Sequence, residues 1–235
     1  MSWIHLLCRS LYPVIVNIVC LEIKPFLSYN KEMHYCFSEI NLERMNYMKV
    51  LLLNGSPRKA GCTFTALEEV ASVLTANGIE TEIFQAGNPE TENVKAAAAK
   101  LKEADGLVVG SPVYWASPSG QIIEFMDKLC SMAGKDMLHK PAAAVASARR
   151  AGTTATLDVL QKYFSYHEMP LVSANYWNMV HGNTPEEVRQ DEEGLQIMRT
   201  LGQNMAWLLK CLEAGRLTGI ETPVTEEKIK TNFIR

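Results

Sequence analysis

Three loops of the sequence carry side chains that could hold an anion or a flat ring. The first loop, NGSPRKAGCT at residues 54–63, follows an apolar run and leads into a helical pattern. Its two glycines permit a tight turn, Ser56 and Thr63 offer hydroxyl groups, and Arg58 offers a cationic fork. Together with the free N–H groups of a helix N-terminus, these groups would form a cradle for an anion.

A single phosphate group suits this loop better than a longer phosphate chain. The loop lacks the Gly-Lys-Ser/Thr ending of a Walker A motif, so it has neither the lysine that clamps a triphosphate nor the hydroxyl that binds Mg²⁺. It also lacks the G-x-G-x-x-G pattern of dinucleotide-binding folds. Taken alone, the loop also fits an ordinary turn that caps a helix, and that alternative stays open.

The second loop, SPVYWASPSGQ at residues 111–121, carries two adjacent aromatic residues, Tyr114 and Trp115. Aromatic side chains on a rigid loop at a strand end can stack on a flat ring or shield it from water. The alternatives are a loop that folds back onto the sheet and a subunit interface.

The third loop, SARRAGTT at residues 147–154, places Arg149 and Arg150 before a glycine and a helix start. The fold itself does not need two arginines at this position. The pair therefore predicts an anionic partner, or a positive field beside an anionic ring. A solvated basic turn is the alternative.

Two single residues complete the set of chemical candidates. His181, in NMVHGNT, is a candidate proton donor, and a structural role before the next helix is the alternative. Cys62 lies at a helix N-terminus, which could lower the pKa of its thiol. A role as a small packing residue is the alternative for Cys62.

Hydrophobic periodicity predicts five strands that alternate with five helices. Apolar runs such as KVLLLNG and GLVVGSP are typical of strands that are buried on both faces of a parallel sheet. The predicted strands cover residues 49–55, 79–85, 106–112, 141–147 and 169–177, and the predicted helices cover residues 62–78, 93–105, 119–132, 153–167 and 184–215.

This alternation predicts an α/β fold with helices on both faces of a parallel sheet. For five strands the common order is 2-1-3-4-5, the flavodoxin-like three-layer sandwich. Ligands in such folds bind at the carboxyl ends of the strands, where the strand order reverses. The three loops follow strands 1, 3 and 4, so the fold would bring them together at that edge.

Composition excludes several classes of function. The chain has 235 residues, of which 47% are hydrophobic and 21% are charged, and its formal net charge is −3. These values fit a globular protein with no general attraction to nucleic acid or to an anionic membrane. Six dispersed cysteines form no C-x-x-C pair and no zinc spacing, so we expect free thiols and a cytoplasmic location.

Residues 1–47 lack the regular hydrophobic periodicity that the rest of the chain shows. Their apolar run LYPVIVNIVCLEI is shorter than the roughly 20 residues of a membrane span, and no small-x-small cleavage site follows it. We expect residues 1–47 to lie outside the folded domain, with Met48 as a candidate true start, and residues 48–235 to form the domain. A genuine anchor or an extra helix is the alternative.

The three loops resemble, in order and spacing, the flavin-contacting loops of the NADPH-dependent FMN reductase family. The matching stretches are NGSPRKAGCT, GSPVYWASPSGQIIEFMDKL and SARRAGTT, and the resemblance covers essentially Met48 to Arg235. This flavodoxin-like group includes quinone reductases and iron–sulfur flavoproteins. The resemblance implies a bound FMN cofactor, NAD(P)H as co-substrate and a homodimer or higher homo-oligomer.

The resemblance also implies which positions contact the cofactor. The phosphate group would be held by Ser56, Arg58, Cys62, where family members often have Asn, and Thr63. The ribityl chain and the ring would be wrapped by Pro112, Val113, Tyr114, Trp115 and Ser117, and the other side of the ring would be closed by Ser147, Arg149, Arg150 and Gly152.

One departure from the family pattern concerns cysteine. Iron–sulfur members carry a compact cysteine cluster, and relatives of this subgroup often have C-x-x-C after the second strand. The corresponding stretch here, QAGNPETENVKAAAAK at residues 85–100, contains no cysteine. We therefore expect no bound cluster and no metal, and a redox-active dithiol at that place is excluded.

The expected function is transfer of reducing equivalents from NAD(P)H through FMN to a small acceptor. The acceptor classes are quinones, nitro- or azo-aromatics, free flavin and metal complexes. Arg149 and Arg150 are the candidate catalytic residues, because they would place positive charge beside the reduced ring. One alternative is a flavodoxin-type electron carrier, which binds FMN without using NAD(P)H and whose partner surface is usually highly acidic. Another is a regulatory or scaffolding protein in which the flavin merely stabilises the fold. In such dimers one subunit often contributes residues to the flavin pocket of the other. The segments YFSYHEMP and NYWNMV are the candidates for this contribution.

Overall fold

A computed structural model of the protein describes residues 48–231 and residue 233. The prediction made for residues 1–47 lies outside these described residues. The described residues 48–211, which contain the sheet and the flanking helices up to Cys211, belong to one unit. Described residues from Leu212 onward belong to a second unit, in which the last helix ends and a tail without helix or strand follows.

The described strands and helices follow the predicted order, except that a short extra strand follows the third strand and the last helix is divided in two. The strands are β1 Lys49–Asn54, β2 Glu80–Gln85, β3 Gly106–Tyr114, β4 Ser117–Pro118, β5 Ala142–Ala148 and β6 Met179–His181. The helices are α1 Cys62–Ala76, α2 Thr91–Glu103, α3 Gly120–Ala133, α4 Thr153–Tyr166, α5 Pro185–Val188 and α6 Glu192–Leu217, and a short 3₁₀ turn covers Gly134–Met137.

The main sheet has five parallel strands in the order β2-β1-β3-β5-β6. This order is the predicted 2-1-3-4-5 arrangement, so the flavodoxin-like fold is confirmed. The order reverses between β1 and β3, which lie side by side in the middle of the sheet. Short β4 adds an antiparallel pairing at the carboxyl end of β3.

Alternating burial of β1 explains the three layers. Leu51 and Leu53 face a core that α2, α3 and α4 complete, whereas Val50 and Leu52 face a core that α1 and α6 complete. All four side chains are fully buried. A strand that is apolar on both faces can only lie between two helical layers, because each face must be removed from water.

The predicted fifth strand at residues 169–177 is wrong in position. Leu171 makes an isolated bridge to Ala142, and the ladder resumes only where Met179 lies beside Ala146. Four steps along β5 therefore correspond to eight steps along the neighbouring chain, which bulges away in between. The alternating residues before β6 resemble a strand, but the register of β5 determines where the pairing takes place.

The predicted long last helix is two helices, α5 and α6. Thr184 caps α5, because its Oγ1 accepts the N–H of Glu187 at 3.3 Å. Asp191 then interrupts the helical path, because its Oδ1 accepts the N–H of Gly194 at 2.9 Å at the start of α6. A side chain that satisfies a helix N-terminus in this way begins a new helix.

Candidate functional site

The first loop crosses directly over the end of β3. The N–H of Gly55 donates to the carbonyl oxygen of Gly110 at 2.8 Å. A Cβ atom at position 55 would lie 2.6 Å from that oxygen, a distance that real side chains do not tolerate. Glycine at this position therefore allows the loop to lie against the neighbouring strand end.

A polar network holds the first loop in shape. Buried Asn54 donates from Nδ2 to the carbonyl oxygen of Arg58 at 3.2 Å and to Oε1 of Gln85 at 2.9 Å. The side-chain amide of Gln85 in turn donates to the carbonyl oxygen of Ser56, and Ser56 Oγ accepts the N–H of Arg58 at 3.1 Å. Because Asn54 and Gln85 end two adjacent strands, the network ties the loop to the sheet.

Sequence reasoning missed Asn54 and Gln85. Each is a polar residue at the last position of its strand, where an apolar run gives way to a turn. The register aligns these two residues side by side. A polar residue at the last position of each of two paired strands is the signal that could have identified them.

The first and third loops meet through two hydroxyl groups. Thr63 Oγ1, in the first turn of α1, lies 2.7 Å from Ser147 Oγ, near the end of β5. Both side chains are buried. Two residues that the sequence assigned to one site are therefore in direct contact.

The second loop forms a hairpin. Val113 pairs with Pro118 and Tyr114 pairs with Ser117, which leaves Trp115 and Ala116 at the tip. Both tip residues have left-handed backbone conformations, with φ values of 52° and 58°. Two-residue hairpin turns of this kind normally contain Asn-Gly, so these two residues carry backbone strain.

Two buried serines anchor the hairpin to the first loop. Ser119 Oγ donates to the carbonyl oxygen of Gly55 at 2.9 Å and accepts the N–H of Ile122 at 3.3 Å, which caps α3. The N–H of Ser119 donates to Ser111 Oγ at 3.0 Å. Neither serine was among the predicted site residues.

The third loop packs against the tip of the hairpin. Gly152 has a left-handed φ of 99°, and a Cβ atom there would lie 2.6 Å from the Cα atom of Ala116. Arg149 and Arg150 are exposed on the same loop. Within the described residues, the guanidinium groups of these two arginines and of Arg58 form no hydrogen bond or ion pair.

The helices that follow the first and third loops have open N-termini. The N-cap residues Gly61 of α1 and Gly152 of α4 have no side-chain oxygen to satisfy the first N–H groups. Neither first turn contains an acidic residue. Both helices therefore present free N–H groups and positive dipole ends to the edge where the loops meet.

Cys62 and His181, the two single candidates from the sequence, lie near this edge and make different contacts. The Cys62 thiol is 3.7 Å from the carbonyl oxygen of Gly182, and burial raises the pKa of the thiol. The interpretation of a lowered pKa is therefore wrong, because desolvation outweighs the nearby positive charge of Arg58. His181 ends β6, and its N–H donates to Asp191 Oδ2 at 2.6 Å.

A groove of about 690 Å³ lies between α3 and α4, away from the three loops. It is lined by residues of their C-terminal halves, and Tyr163 donates to Asp127 Oδ1 across it at 2.6 Å. Burial raises the pKa of Cys130, another lining residue, to about 12, so this thiol is unreactive at neutral pH. The groove therefore offers no catalytic group comparable to those at the sheet edge.

Two classes of feature are absent from the part of the chain that the structure describes. No group of three or more His, Cys, Asp or Glu side chains is arranged to hold a metal ion. No helix in that part is both long and apolar enough to cross a membrane.

Comparison with known proteins identifies the family. A model of the NADPH-dependent FMN reductase family matches residues 48–184, more than half of the chain. The chain belongs to this family. This FMN reductase is accordingly an NAD(P)H-dependent flavin oxidoreductase with FMN as its cofactor.

Several individual proteins are similar to this FMN reductase. It is 29% identical over 192 residues to an iron–sulfur flavoprotein of Methanocaldococcus jannaschii, a match that covers 71% of this chain and all of the relative. It is 30% identical over 113 residues to an NADPH azoreductase of a Bacillus species, covering 43% of this chain and 59% of the relative. Among solved structures, a WrbA-like flavodoxin of Agrobacterium tumefaciens is similar in fold, with a TM-score of 0.54, 20% identity, and coverage of 70% of this chain and 97% of that one.

The residues at the sheet edge fit FMN. A monophosphate needs N–H donors, hydroxyl groups and a cation, and the uncapped start of α1 offers these with Ser56, Thr63 and Arg58. The flat ring would lie at the same edge, where the third loop packs against the hairpin. The guanidinium groups of Arg58, Arg149 and Arg150 supply positive charge that no side chain among residues 48–231 pairs with.

Proposed function

We propose that this FMN reductase passes electrons from NAD(P)H to a small-molecule acceptor of the quinone, azo-aromatic, nitro-aromatic, flavin or metal-complex class. The observation that carries the proposal is a set of three arginines, Arg58, Arg149 and Arg150, around two uncapped helix N-termini. None of the three has an ion-pair partner in the part of the chain that the structure describes. A positive, open edge of this kind binds an anionic cofactor and still leaves one side for a second molecule.

The phosphate end of the site is assigned to the first loop. Ser56, Arg58, Cys62 and Thr63 surround the start of α1, where N–H groups are free. The network from Asn54 holds this loop in one conformation. Because the loop is held in place by the protein's own hydrogen bonds, less conformational entropy is lost on binding.

The ring end of the site is assigned to the second and third loops. FMN, when bound, supplies the hydride chemistry of the reaction. Arg149 and Arg150 would supply positive charge beside the bound ring, and this charge would stabilise the negative charge of the reduced cofactor. The hairpin and the loop of Gly152 exclude water from one side. The residues assigned to this end are Pro112, Val113, Tyr114, Ser117, Ser147, Arg149, Arg150 and Gly152.

Three coarser features belong to the same proposal. The enzyme acts as a homodimer in the cytoplasm, and it needs neither nucleic acid nor a membrane. The dimer is supported by the half-exposed Tyr176 and Trp177, whose rings stack edge-on with centroids 4.6 Å apart. Sedimentation of the purified protein tests the dimer, and a monomer at micromolar concentration would contradict it.

Anaerobic reduction of the bound flavin tests the proposed function. The protein is purified with FMN, its flavin-to-protein ratio is measured, and NADPH or NADH is added without oxygen. We expect loss of the visible flavin absorbance, followed by its return when a quinone is added. A yellow protein that is not bleached by either nucleotide would instead act as an electron carrier or a scaffold. A protein that rejects added FMN would refute the proposed cofactor site.

A further inference from the structure

The side chain of Trp115 is the most exposed aromatic group at the site. Its relative exposure is 100%, whereas that of its neighbour Tyr114 is 40%. Large apolar side chains that are fully exposed need a reason, because each forgoes a substantial hydrophobic gain.

The backbone around Trp115 is held firmly. The pairs Val113–Pro118 and Tyr114–Ser117 close the hairpin on both sides of the tip. Gly152 packs against the Cα atom of Ala116, so the tip cannot move toward the third loop. The ring is therefore presented outward by a fixed turn, not by a loose loop.

The turn also keeps Trp115 exposed at an energetic cost. Both tip residues have left-handed backbones, a conformation that is strained for any L-residue with a Cβ atom. Strain of this kind is retained where the surrounding structure enforces it, and it concentrates at ligand sites. The cost has no return within the described residues, because the ring gains no burial there.

Tyr114 occupies a different position on the hairpin from that of Trp115. Tyr114 belongs to the ladder of β3 and β4, so its ring starts from the sheet side of the hairpin. Trp115 starts one residue further out, at the tip. An aromatic pair of this kind can serve two ligands, one held close to the sheet and one that approaches from solvent.

We infer that Trp115 is a specificity-determining residue that stacks on a planar aromatic electron acceptor, and is not a ligand of FMN. The inference rests on the proposed function and names the substrate class as aromatic acceptors such as quinones. It departs from the role that the resemblance to the family implies for Trp115. A stacked indole orients a flat acceptor. Stacking adds only a small free energy to that of burying the ring surface, so the acceptor is still released easily.

The reaction balances with the reagents already named. NADPH gives up a hydride, which is two electrons and one proton, and becomes NADP⁺. A quinone takes these two electrons and this proton, together with a second proton from water, and becomes a hydroquinone. Ferricyanide takes one electron at a time, so two ferricyanide ions consume one hydride and release its proton. Ferricyanide has no flat ring on which an indole could stack.

Two acceptors and three variants test the inference. The variants Trp115→Ala, Trp115→Phe and Ala116→Gly are loaded with FMN, and kcat/KM is measured with 2-methyl-1,4-naphthoquinone and with ferricyanide. We expect Trp115→Ala to lower the ratio of the quinone value to the ferricyanide value about fivefold. Trp115→Phe should restore most of the ratio. Ala116→Gly changes the turn but keeps the ring, and should retain the wild-type ratio.

Other outcomes overturn the inference in distinguishable ways. An equal loss with both acceptors, or an unchanged ratio in Trp115→Ala, shows that the indole does not select aromatic acceptors. A rise in the Kd of FMN of tenfold or more in Trp115→Ala makes it a cofactor ligand. A change from dimer to monomer makes it a subunit contact. If NADPH fails to bleach the wild-type flavin, the proposed function itself fails, whatever the variants do.

Discussion

Thr63 and Ser147 share a hydrogen bond of 2.7 Å between two buried hydroxyl groups, which joins the start of α1 to the end of β5. Replacing either residue leaves the other hydroxyl unpaired in the interior. We expect Thr63→Val or Ser147→Ala to lower the free energy of unfolding by about 1–3 kcal/mol. The double variant should cost less than the sum of the two, since both hydroxyls are then gone. Urea unfolding measures all three.

The exposed Ser72 of α1 supplies the control for this pair. Its hydroxyl donates to a carbonyl oxygen of its own helix at 2.8 Å. Ser72→Ala should change stability by less than about 0.5 kcal/mol, because the site faces solvent. Strict additivity in the double variant would show that the 2.7 Å contact contributes nothing.

Gly152 and Gly78 separate backbone strain from steric conflict. Both have left-handed φ values, 99° and 80°, but a Cβ atom at position 78 meets nothing within 4 Å. We expect Gly78→Ala to cost about 1 kcal/mol from the backbone alone. Gly152→Ala should cost at least 1 kcal/mol more, because the new methyl group also strikes the hairpin. Thermal unfolding compares the two, and equal losses would argue against close packing of the two loops.

Ala116 is a position where a smaller residue should stabilise the protein. Its φ of 58° costs an alanine energy that a glycine does not pay. We expect Ala116→Gly to raise the free energy of unfolding by up to about 1 kcal/mol, which is about 2–4 °C in Tm. Ala99→Gly, on the exposed face of α2, should have the opposite effect of about 1 kcal/mol. A destabilised Ala116→Gly would contradict the strained turn.

Arg150 is the arginine whose loss should show most clearly in the kinetics. Its guanidinium group is exposed and forms no ion pair within the described residues, so removing it breaks no contact of the fold. We expect Arg150→Ala to slow flavin reduction or to raise the KM for NADPH about tenfold, the loss of one charge-assisted hydrogen bond. Arg199→Ala, which breaks an ion pair with Glu69 on the helical surface, is the matched control. Stopped-flow reduction measures both, and unchanged Arg150→Ala kinetics would remove this residue from the mechanism.

The described cysteines should differ in reactivity with pH. Burial raises the pKa of Cys62 and raises that of Cys130 to about 12, so both thiols stay protonated at pH 8. Iodoacetamide should therefore label exposed Cys211 first. Labelling of Cys130 should still be rising at pH 10, since its thiolate forms only at higher pH. Peptide mass spectrometry follows each site, and a plateau for Cys130 below pH 9 would contradict its burial.

Much of the fold follows from the sequence for a simple reason. The runs that became β1, β3 and β5 are apolar on both faces, which leaves a central parallel strand as the only suitable environment. The three loops then had to meet, because parallel strands carry their carboxyl ends to one edge. This is why residues as distant in sequence as Thr63 and Ser147 could be assigned to one site.

The features that sequence reasoning missed depend on partners that are distant in the chain. The hairpin of β4 forms although Trp115 and Ala116 lack the usual turn signal, and Gly152 supports it from another loop. The anchoring role of Asn54 depends on Gln85 of the adjacent strand. A pKa shift such as that of Cys62 depends on how deeply the thiol is buried, which a motif does not reveal.

Between Leu171 and Met179 the chain advances eight residues while the paired strand β5 advances four. Residues 172–178 therefore contain more chain than the pairing needs. The sheet fixes the chain at Leu171 and again at Met179, so a change of length between these points is not transmitted to either pairing. A small label attached there would lie beside Tyr176 and Trp177, the residues that support the proposed dimer. A fluorescent probe in this segment would therefore report on association of the subunits.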